Sequence, residues 1–444
     1  MTLRTFVGGV LPRDGKDLTS EKPIKFVLPG KELVYPLLQH DGSQAVPYVA
    51  VGDKVLTGQL IAGGDGFFSS CIYASVSGQV SVIGERRMAD GEMIAAIVVE
   101  NDGLYDEITY QTMPPPEEMT EAEIHERIRD AGIVGLGGSK IPTHVKLSLE
   151  NPEQIAFLII NGIECEPYLT ADLRILLEES ERIISGINVL LRLFPYAHGI
   201  ISITDDKEEA ITKLMGLVER EAKINVRVLK TKYPQGSERQ LVFSVTGRKL
   251  TGMMSPPDVG CLVLNVETIL NISRAVIEGR NLMSRIITVS GDALCEPQNL
   301  SVRLGTSYQT LIDEAGGLID EKDGSDGKKG KNREVKMIAG GPMRGEIIVA
   351  VDTPVTKETA GFLCLYKDEE ADVEAACIKC RKCISVCPER LQPLRLATLA
   401  EKGDRKSFLA YDGMCCNGCG CCSYICPAKR HITQRIKAFM KGIT

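Results

Sequence analysis

Ten of the fifteen cysteines in this 444-residue chain crowd into one stretch, from Cys377 to Cys426. "CIKCRKCISVCP" places Cys377, Cys380, Cys383 and Cys387 with two, two and three residues between them, and Pro388 follows. "CNGCGCCSYICP" repeats the pattern with Cys416, Cys419, Cys422 and Cys426, followed by Pro427. In a reducing compartment, clustered thiols point to metal rather than to disulfides. Zinc knuckles usually bring two cysteines per loop, so four in one run, twice over, suit iron–sulfur cubes better. A loop this tight lets three sulfurs converge on one cube while its backbone amides face it. The chemistry is one-electron transfer.

The spacing is that of two-cluster ferredoxins, where three cysteines of one run and the last of the other hold each [4Fe–4S] cluster. On that pattern Cys377, Cys380, Cys383 and Cys426 hold one cluster, and Cys416, Cys419, Cys422 and Cys387 hold the other. Cys415 and Cys421 fall outside the frame and are read as non-ligands. The 28 residues between the runs include "LQPLRLATLAEKGDRKSFLAY", a helical pattern that predicts the helical variety of two-cluster domain. The histidines (His40, His125, His144, His198, His431) share no ligand spacing and are assigned no function.

One-electron clusters need a one-electron donor, and where fuel arrives as hydride a flavin must make the conversion. "IVGLGGSKIPTHVKL" at 133–147 is the place to look, because Gly135, Gly137 and Gly138 imply backbone pressed against something. The run is neither a P-loop nor a dinucleotide fingerprint, since Lys140 stands where the last fingerprint glycine belongs.

Several elements must position these groups. Residues 34–100 read as short strands separated by glycine turns, a small sandwich or barrel. "GDKVLTGQLIA" with "ASVSGQVSVI" resembles the barrel-sandwich of lipoyl and biotinyl carriers, but "GGDGFFSS" at the tip has no modifiable lysine, so it is a scaffold. "TMPPPEEMT" is a stiff linker ending in a capping box, Thr120 with Glu123, ahead of a helix with Ile124 and Ile128 inward. Strand-like and helix-like segments then alternate over about 120–280, an α/β domain with a largely parallel sheet; "TADLRILLEESERIISGINVLLRLF" reads there as one helix. "RIITVSGDALCEPQNLSVRLGTSYQTLIDEAGG" gives strand, turn, strand, then a helix from near Thr306, and resembles the soluble-ligand-binding β-grasp module. "EKDGSDGKKGKNRE" at 321–334 reads as a solvated hairpin.

Bulk numbers narrow the class. Hydrophobic content of 43% and charged content of 25% are ordinary for a globular protein, and a net charge of −7 gives nucleic-acid binding no support. No apolar run approaches the ~18 residues of a membrane span. "MTLRTFVGGVLPRDGK" lacks the apolar core of a signal peptide, so a cytoplasmic location is expected.

The motifs in order also carry a family resemblance. "GLGGSKIPTHVKL" resembles the flavin loop of the NADH-oxidising subunit of respiratory complex I, "NGIECEPY" (161–168) its acidic turn, "YPQGSERQL" (233–241) its nicotinamide-side segment and "LNVETILNI" (264–272) its Asn-Val-Glu-Thr segment. With "TFVGGVLPRDGK", the barrel-sandwich, "ECEPYLTAD", "GGPMRG", "DTPVTK" and both cysteine runs, the whole chain resembles the RnfC family, peripheral subunits of Rnf ion-translocating electron-transport complexes. The order separates it from the PduS cobalamin reductases, which carry the barrel-sandwich at the C-terminus.

The resemblance implies a multidomain α/β protein. Its parts are a barrel-sandwich at 1–112, a Rossmann-like FMN/NADH domain at 118–282, a β-grasp domain at 283–366 and a helical ferredoxin-like domain at 367–444. It implies FMN, NAD(H) and two [4Fe–4S] clusters as cofactors. Gly135, Gly137 and Gly138 would lie against FMN, Lys146 would neutralise its charge, Asn161 and Glu164 would hydrogen-bond it, and Asn265 and Thr268 would hold its ribityl phosphate. Glu166, Glu238 and Tyr233 would border the NADH pocket, the two glutamates as catalytic groups. The family's Ala-Gly-Phe after the double glycine is Ser139-Lys140-Ile141 here, so an aromatic that would stack on adenine is missing. Lys140 either pairs with a cofactor phosphate or points to solvent. The implied function is electron transfer among NAD(H), FMN and the clusters in a ferredoxin:NAD oxidoreductase coupled to Na⁺ or H⁺ transport. Partners would be the other Rnf-type membrane subunits, with ferredoxin reached indirectly and the membrane, on its cytoplasmic face, only through partners. The alternatives are a stand-alone reductase serving a cobalamin or amino-acid reductase system, or a non-catalytic wiring module.

Overall fold

The computed structural model describes residues 3–64, 66–319, 334–367 and 373–443. The hairpin expected at 321–334 lies outside the described residues except for Glu334, as do Asp65 of the "GGDGFFSS" tip and part of the acidic run before Cys377.

A four-stranded parallel sheet organises the middle of the chain, in the order Ile224–Leu229, His198–Thr204, Phe157–Asn161, Cys261–Asn265. The strands are almost wholly apolar because both faces are covered: Leu158, Ile160 and Leu264 enter one core, while Ile159, Ile200 and Val263 enter another. In chain order the strands are third, second, first and fourth, so the winding reverses between Phe157–Asn161 and Cys261–Asn265. Such a reversal opens a crevice beyond the carboxyl ends of the strands.

The capping box forms: Thr120 N donates to Glu123 Oε2 at 2.6 Å and Glu123 N to Thr120 Oγ1 at 3.3 Å, opening helix Glu121–Asp130. The long helix expected after Thr170 is instead two, Ala171–Glu178 and Ser180–Leu193. Glu179 between them leaves helical geometry (φ −120°, ψ 22°), and its carboxylate takes Arg182 and Arg274.

Residues 32–101 form two small antiparallel sheets around Leu33, Tyr35, Ile61, Ile72 and Ile97, as the glycine-punctuated strands predict. A six-stranded sheet follows, ordered Ile24–Phe26, Gln298–Arg303, Ser284–Ser290, Gly361–Tyr366, Val335–Ala339, Glu346–Ile347, with helix Tyr308–Glu314 on it. Its edge strand, Ile24–Phe26, comes from the N-terminal segment and runs parallel to Gln298–Arg303, so this strand pairs outside the two small sheets. Three residues carry too little periodicity to reveal a partner some 270 positions away.

Buried polar ties lock these parts together. Arg285 and Glu267, almost completely buried, pair at 2.8 Å. Lys357 Nζ reaches Ser70 Oγ (2.9 Å), Cys71 O (2.6 Å) and Gly132 O (2.8 Å).

Candidate functional site

The crevice at the winding reversal is the centre of the site. Asn161 and Asn265 end their strands in paired register there. Asn161 Nδ2 donates to Gly236 O at 2.9 Å, which ties down the 233–238 turn. Asn265 caps helix Val266–Glu278 by accepting Glu267 N–H at 2.8 Å, and its Nδ2 donates to Asp172 Oδ2 at 2.7 Å. Burial, with Glu164 and Glu267 close by, pushes the Asp172 carboxyl well above the usual carboxylate range.

The glycine loop hangs over this crevice from Leu136. Leu136 N–H donates to Thr268 Oγ1 at 3.1 Å, and Leu136 O accepts from Arg285 Nη2 at 2.9 Å, so one residue's backbone fixes the loop on both sides. The glycines differ in their reasons. A Cβ on Gly135 would strike Ser139, and one on Gly137 would come within 2.8 Å of Asn265 Cβ. Only Gly138 (φ +93°) faces open space, where a side chain would project into the cleft. For Gly135 and Gly137, therefore, the protein itself already excludes a side chain, before any flavin is considered.

Gly135, Gly137, Gly138, Lys146, Asn161, Glu238, Asn265 and Thr268 line one cavity of about 310 Å³. Lys146 Nζ meets Glu238 Oε1 at 2.6 Å. Glu238 begins helix Glu238–Thr246, whose N-terminus has no side-chain cap and faces the same cavity. Glu164 stands in an adjoining space but is engaged elsewhere: it accepts Asp172 N–H (2.7 Å) and Leu173 N–H (3.3 Å) at the start of helix Ala171–Glu178. Glu166 is half-buried, and its desolvation raises its carboxyl's pKa; it accepts Met343 N–H at 3.1 Å and sits 3.1 Å from Tyr233 Oη. Tyr233 is fully buried, and its hydroxyl donates to Cys419 O at 2.7 Å. Lys140 pairs with Glu358.

Three lining residues that come from outside the α/β domain were not singled out from the sequence. Arg344, in "GGPMRG", borders this cavity and two of the spaces that adjoin it. Glu389 and Asn417 reach the cavity from the two cysteine runs and are held together through Asn417 Nδ2 to Glu389 Oε1 at 3.1 Å. A cation in a glycine-rich turn was the only available signal for Arg344; the other two follow cysteines and carried none.

The cysteine runs fold as a repeat. Lys379 and Arg381 in the first, and Gly418 and Gly420 in the second, take left-handed backbone at equivalent positions before short helices Lys382–Ser385 and Cys421–Tyr424. Cys416, Cys419 and Cys422 share an apolar cavity with Cys387 of the other run. Leu391 N–H points at Cys387 Sγ (3.3 Å), and Thr433 Oγ1 lies 3.2 Å from Cys422 Sγ. Cys421 lies in the same cavity, with its thiol toward Tyr233 O. Of the other set, Cys377 and Cys380 are exposed, and Cys383 and Cys426 are half-buried. Among the described residues, no three His, Cys, Asp or Glu side chains converge on a single ion.

Family models match two regions: an RnfC barrel sandwich hybrid domain at residues 4–104 and a Nuo51 FMN-binding domain at 128–274. Among curated relatives, the RnfC counterpart in the Na⁺-translocating ferredoxin:NAD⁺ oxidoreductase complex of Acetobacterium woodii is 37% identical, covering 90% of this chain and 88% of its own length. Its counterpart in the proton-translocating ferredoxin:NAD⁺ oxidoreductase complex of Clostridium ljungdahlii is 39% identical over 90% of this chain and 85% of its own. The chain belongs to the RnfC family. Its FMN-binding domain contains every residue assigned above to flavin or nicotinamide, while both cysteine runs lie beyond the matched domains. No helix among the described residues is long and apolar enough to cross a membrane.

Proposed function

We infer that this RnfC-family chain is the electron-transfer subunit of an Rnf-type ferredoxin:NAD oxidoreductase complex, carrying electrons between NAD(H), FMN and two [4Fe–4S] clusters. Ion translocation, of Na⁺ or H⁺, would belong to membrane subunits, with this chain docked through them on the cytoplasmic face. The six-stranded sheet with helix Tyr308–Glu314 is read as the β-grasp domain, and residues from 373 onward as the ferredoxin-like domain.

The observation that carries this reading is a shared wall. The cavity beneath the glycine loop is closed by Glu389 and Asn417, which belong to the loops of Cys387 and Cys416. The residues fit FMN: a cavity in the range of about 300–1,000 Å³ that small cofactors use, open space over Gly138, and a cation, Lys146, beside two helix N-termini. Lys146 and the amides at 238–240 would hold phosphate, and Thr268, whose Oγ1 accepts Leu136 N–H, would donate its hydroxyl proton to it. Arg344 adds positive charge where the flavin cleft meets the second run. FMN, when bound, supplies the exchange between hydride and single electrons. Glu166 would keep its proton to higher pH than an ordinary carboxyl at the cleft edge. The site of the second run fits a cluster as well: Cys387, Cys416, Cys419 and Cys422 line an apolar pocket together with Cys421, and a backbone amide is directed at the Cys387 sulfur.

Anaerobic purification with FMN, iron and sulfide quantified, followed by NADH addition, tests the reading. Flavin absorbance should bleach and the clusters should then be reduced. A protein with full FMN and iron that NADH leaves oxidised would remove the oxidoreductase function.

A further inference from the structure

The N-terminal segment "TFVGGV" at 5–10 lies outside the two small sheets of residues 32–101 and lines no part of the cavity under the glycine loop. It runs between the α/β domain and the cysteine loops. Val10 exchanges both backbone hydrogen bonds with Tyr233, Val10 N to Tyr233 O at 2.8 Å and Tyr233 N to Val10 O at 2.9 Å. Gly9 N donates to Val386 O at 2.7 Å, one residue before Cys387. The two glycines are needed because the chain is squeezed there. A Cβ on Gly8 (φ +93°) would lie 2.9 Å from Cys387 O, and one on Gly9 (φ +76°) would lie 2.5 Å from Tyr233 O. Upstream, Arg4 Nη1 donates to Val245 O (3.0 Å), Thr5 Oγ1 to Gln235 Oε1 (2.9 Å), and Lys232 Nζ sits 4.6 Å above the Phe6 ring. Tyr233 completes the seam through its hydroxyl on Cys419 O, and Val10, Tyr233, Cys419 and Cys421 bury one another.

We propose that residues 4–10 are a positioning strap that, with Tyr233, seats the Cys387 and Cys419 loops against the flavin cleft and so fixes the electron-transfer distance into the second cluster. This rests on the reading that Cys387, Cys416, Cys419 and Cys422 hold a cluster. Electron tunnelling falls exponentially with distance, so opening the seam slightly slows transfer while the residues that bind each centre remain in place. The strap contributes no side chain to the cavity under the glycine loop. Its effect should therefore appear in the step between centres.

The test uses the full chain loaded anaerobically, with Gly9→Ala and, separately, deletion of residues 1–10. FMN per chain and the rate at which NADH bleaches the flavin should match the parent. Cluster reduction, followed by stopped flow and by freeze-quench EPR, should slow by about tenfold or more, as small displacements of reacting partners do. Hydrogen–deuterium exchange over 383–390 and 416–422 should rise in the same variants without any turnover. Loss of about half the iron with bleaching intact would equally support the seating role. Cluster reduction at the parent rate in both variants overturns the proposal, and so does loss of flavin bleaching, which would put the strap in the flavin site itself. A parent protein that takes up no iron overturns instead the cluster reading beneath it.

Discussion

Asn161 and Asn265 stand side by side at the carboxyl ends of adjacent parallel strands, one on each side of the winding reversal. Asn265 does two jobs there, capping helix Val266–Glu278 and donating to the buried Asp172 carboxyl. Asn265→Ala should lose about 1 kcal/mol for the cap, and more for the unsatisfied acid. Thermal unfolding should show a lower Tm, and FMN should be absent from the purified variant. An unchanged Tm with one FMN per chain would contradict the assignment.

Gly137 and Gly138 separate packing from cofactor contact. Gly138→Ala adds a methyl toward open cavity, at a left-handed backbone position, and should weaken FMN binding more than stability. Gly137→Ala collides with Asn265 and should lower both. Parallel flavin titrations and melting curves of the two variants give the comparison.

Lys146 is mostly buried while its partner Glu238 is two-fifths exposed. Removing the cation by Lys146→Met should weaken FMN binding by about tenfold, the scale of one charge-assisted contact to an anion. Glu238→Gln should affect FMN less, because a half-exposed ion pair contributes little. Fluorescence quenching of added FMN measures both; equal effects would mean that the pair, not the cation, matters.

The proposed cluster assignment sorts the thiols into ligands and bystanders. Cys419→Ser should remove roughly half the iron and the spectral signature of one cluster, whereas Cys421→Ser, in the same cavity, should retain all of it. Iron assay and EPR of the reduced proteins check this. Full iron in the first variant and half in the second would exchange the two roles.

Lys357 is completely buried among two carbonyls and a hydroxyl, and burial pulls its pKa down to about 7. Unfolded lysine keeps its proton to about 10.4. Between those values the unfolded chain binds more protons than the folded one, so this group makes stability rise with pH from about 7 to about 10. Below about 7 both states are charged and the burial cost is fully present. Tm measured across pH 7–10 should climb in the parent and flatten in Lys357→Met, whatever the variant's absolute stability.

Local chemistry wrote much of this protein legibly. The cysteine intervals are short-range features, and the fold places Cys387 in one cavity with Cys416, Cys419, Cys421 and Cys422. The capping box at Thr120, the unbroken apolar strands and the asparagine at the head of helix Val266–Glu278 are also short-range features. The break at Glu179, whose carboxylate pairs with Arg274 far along the chain, was not visible in the helical pattern.

Residue types and their intervals, with the family resemblance they carry, thus determined which groups are proposed to bind a flavin, a nucleotide or an iron–sulfur cube. Only the tertiary structure decided which are free to do so. Glu164 is drawn to a helix N-terminus, Tyr233 turns its hydroxyl to Cys419, and Arg344, Glu389 and Asn417 arrive from far along the chain to close the cleft. Those outcomes depend on which surfaces pack together, and packing is set by the shape and burial of whole elements, which no interval between neighbouring residues encodes.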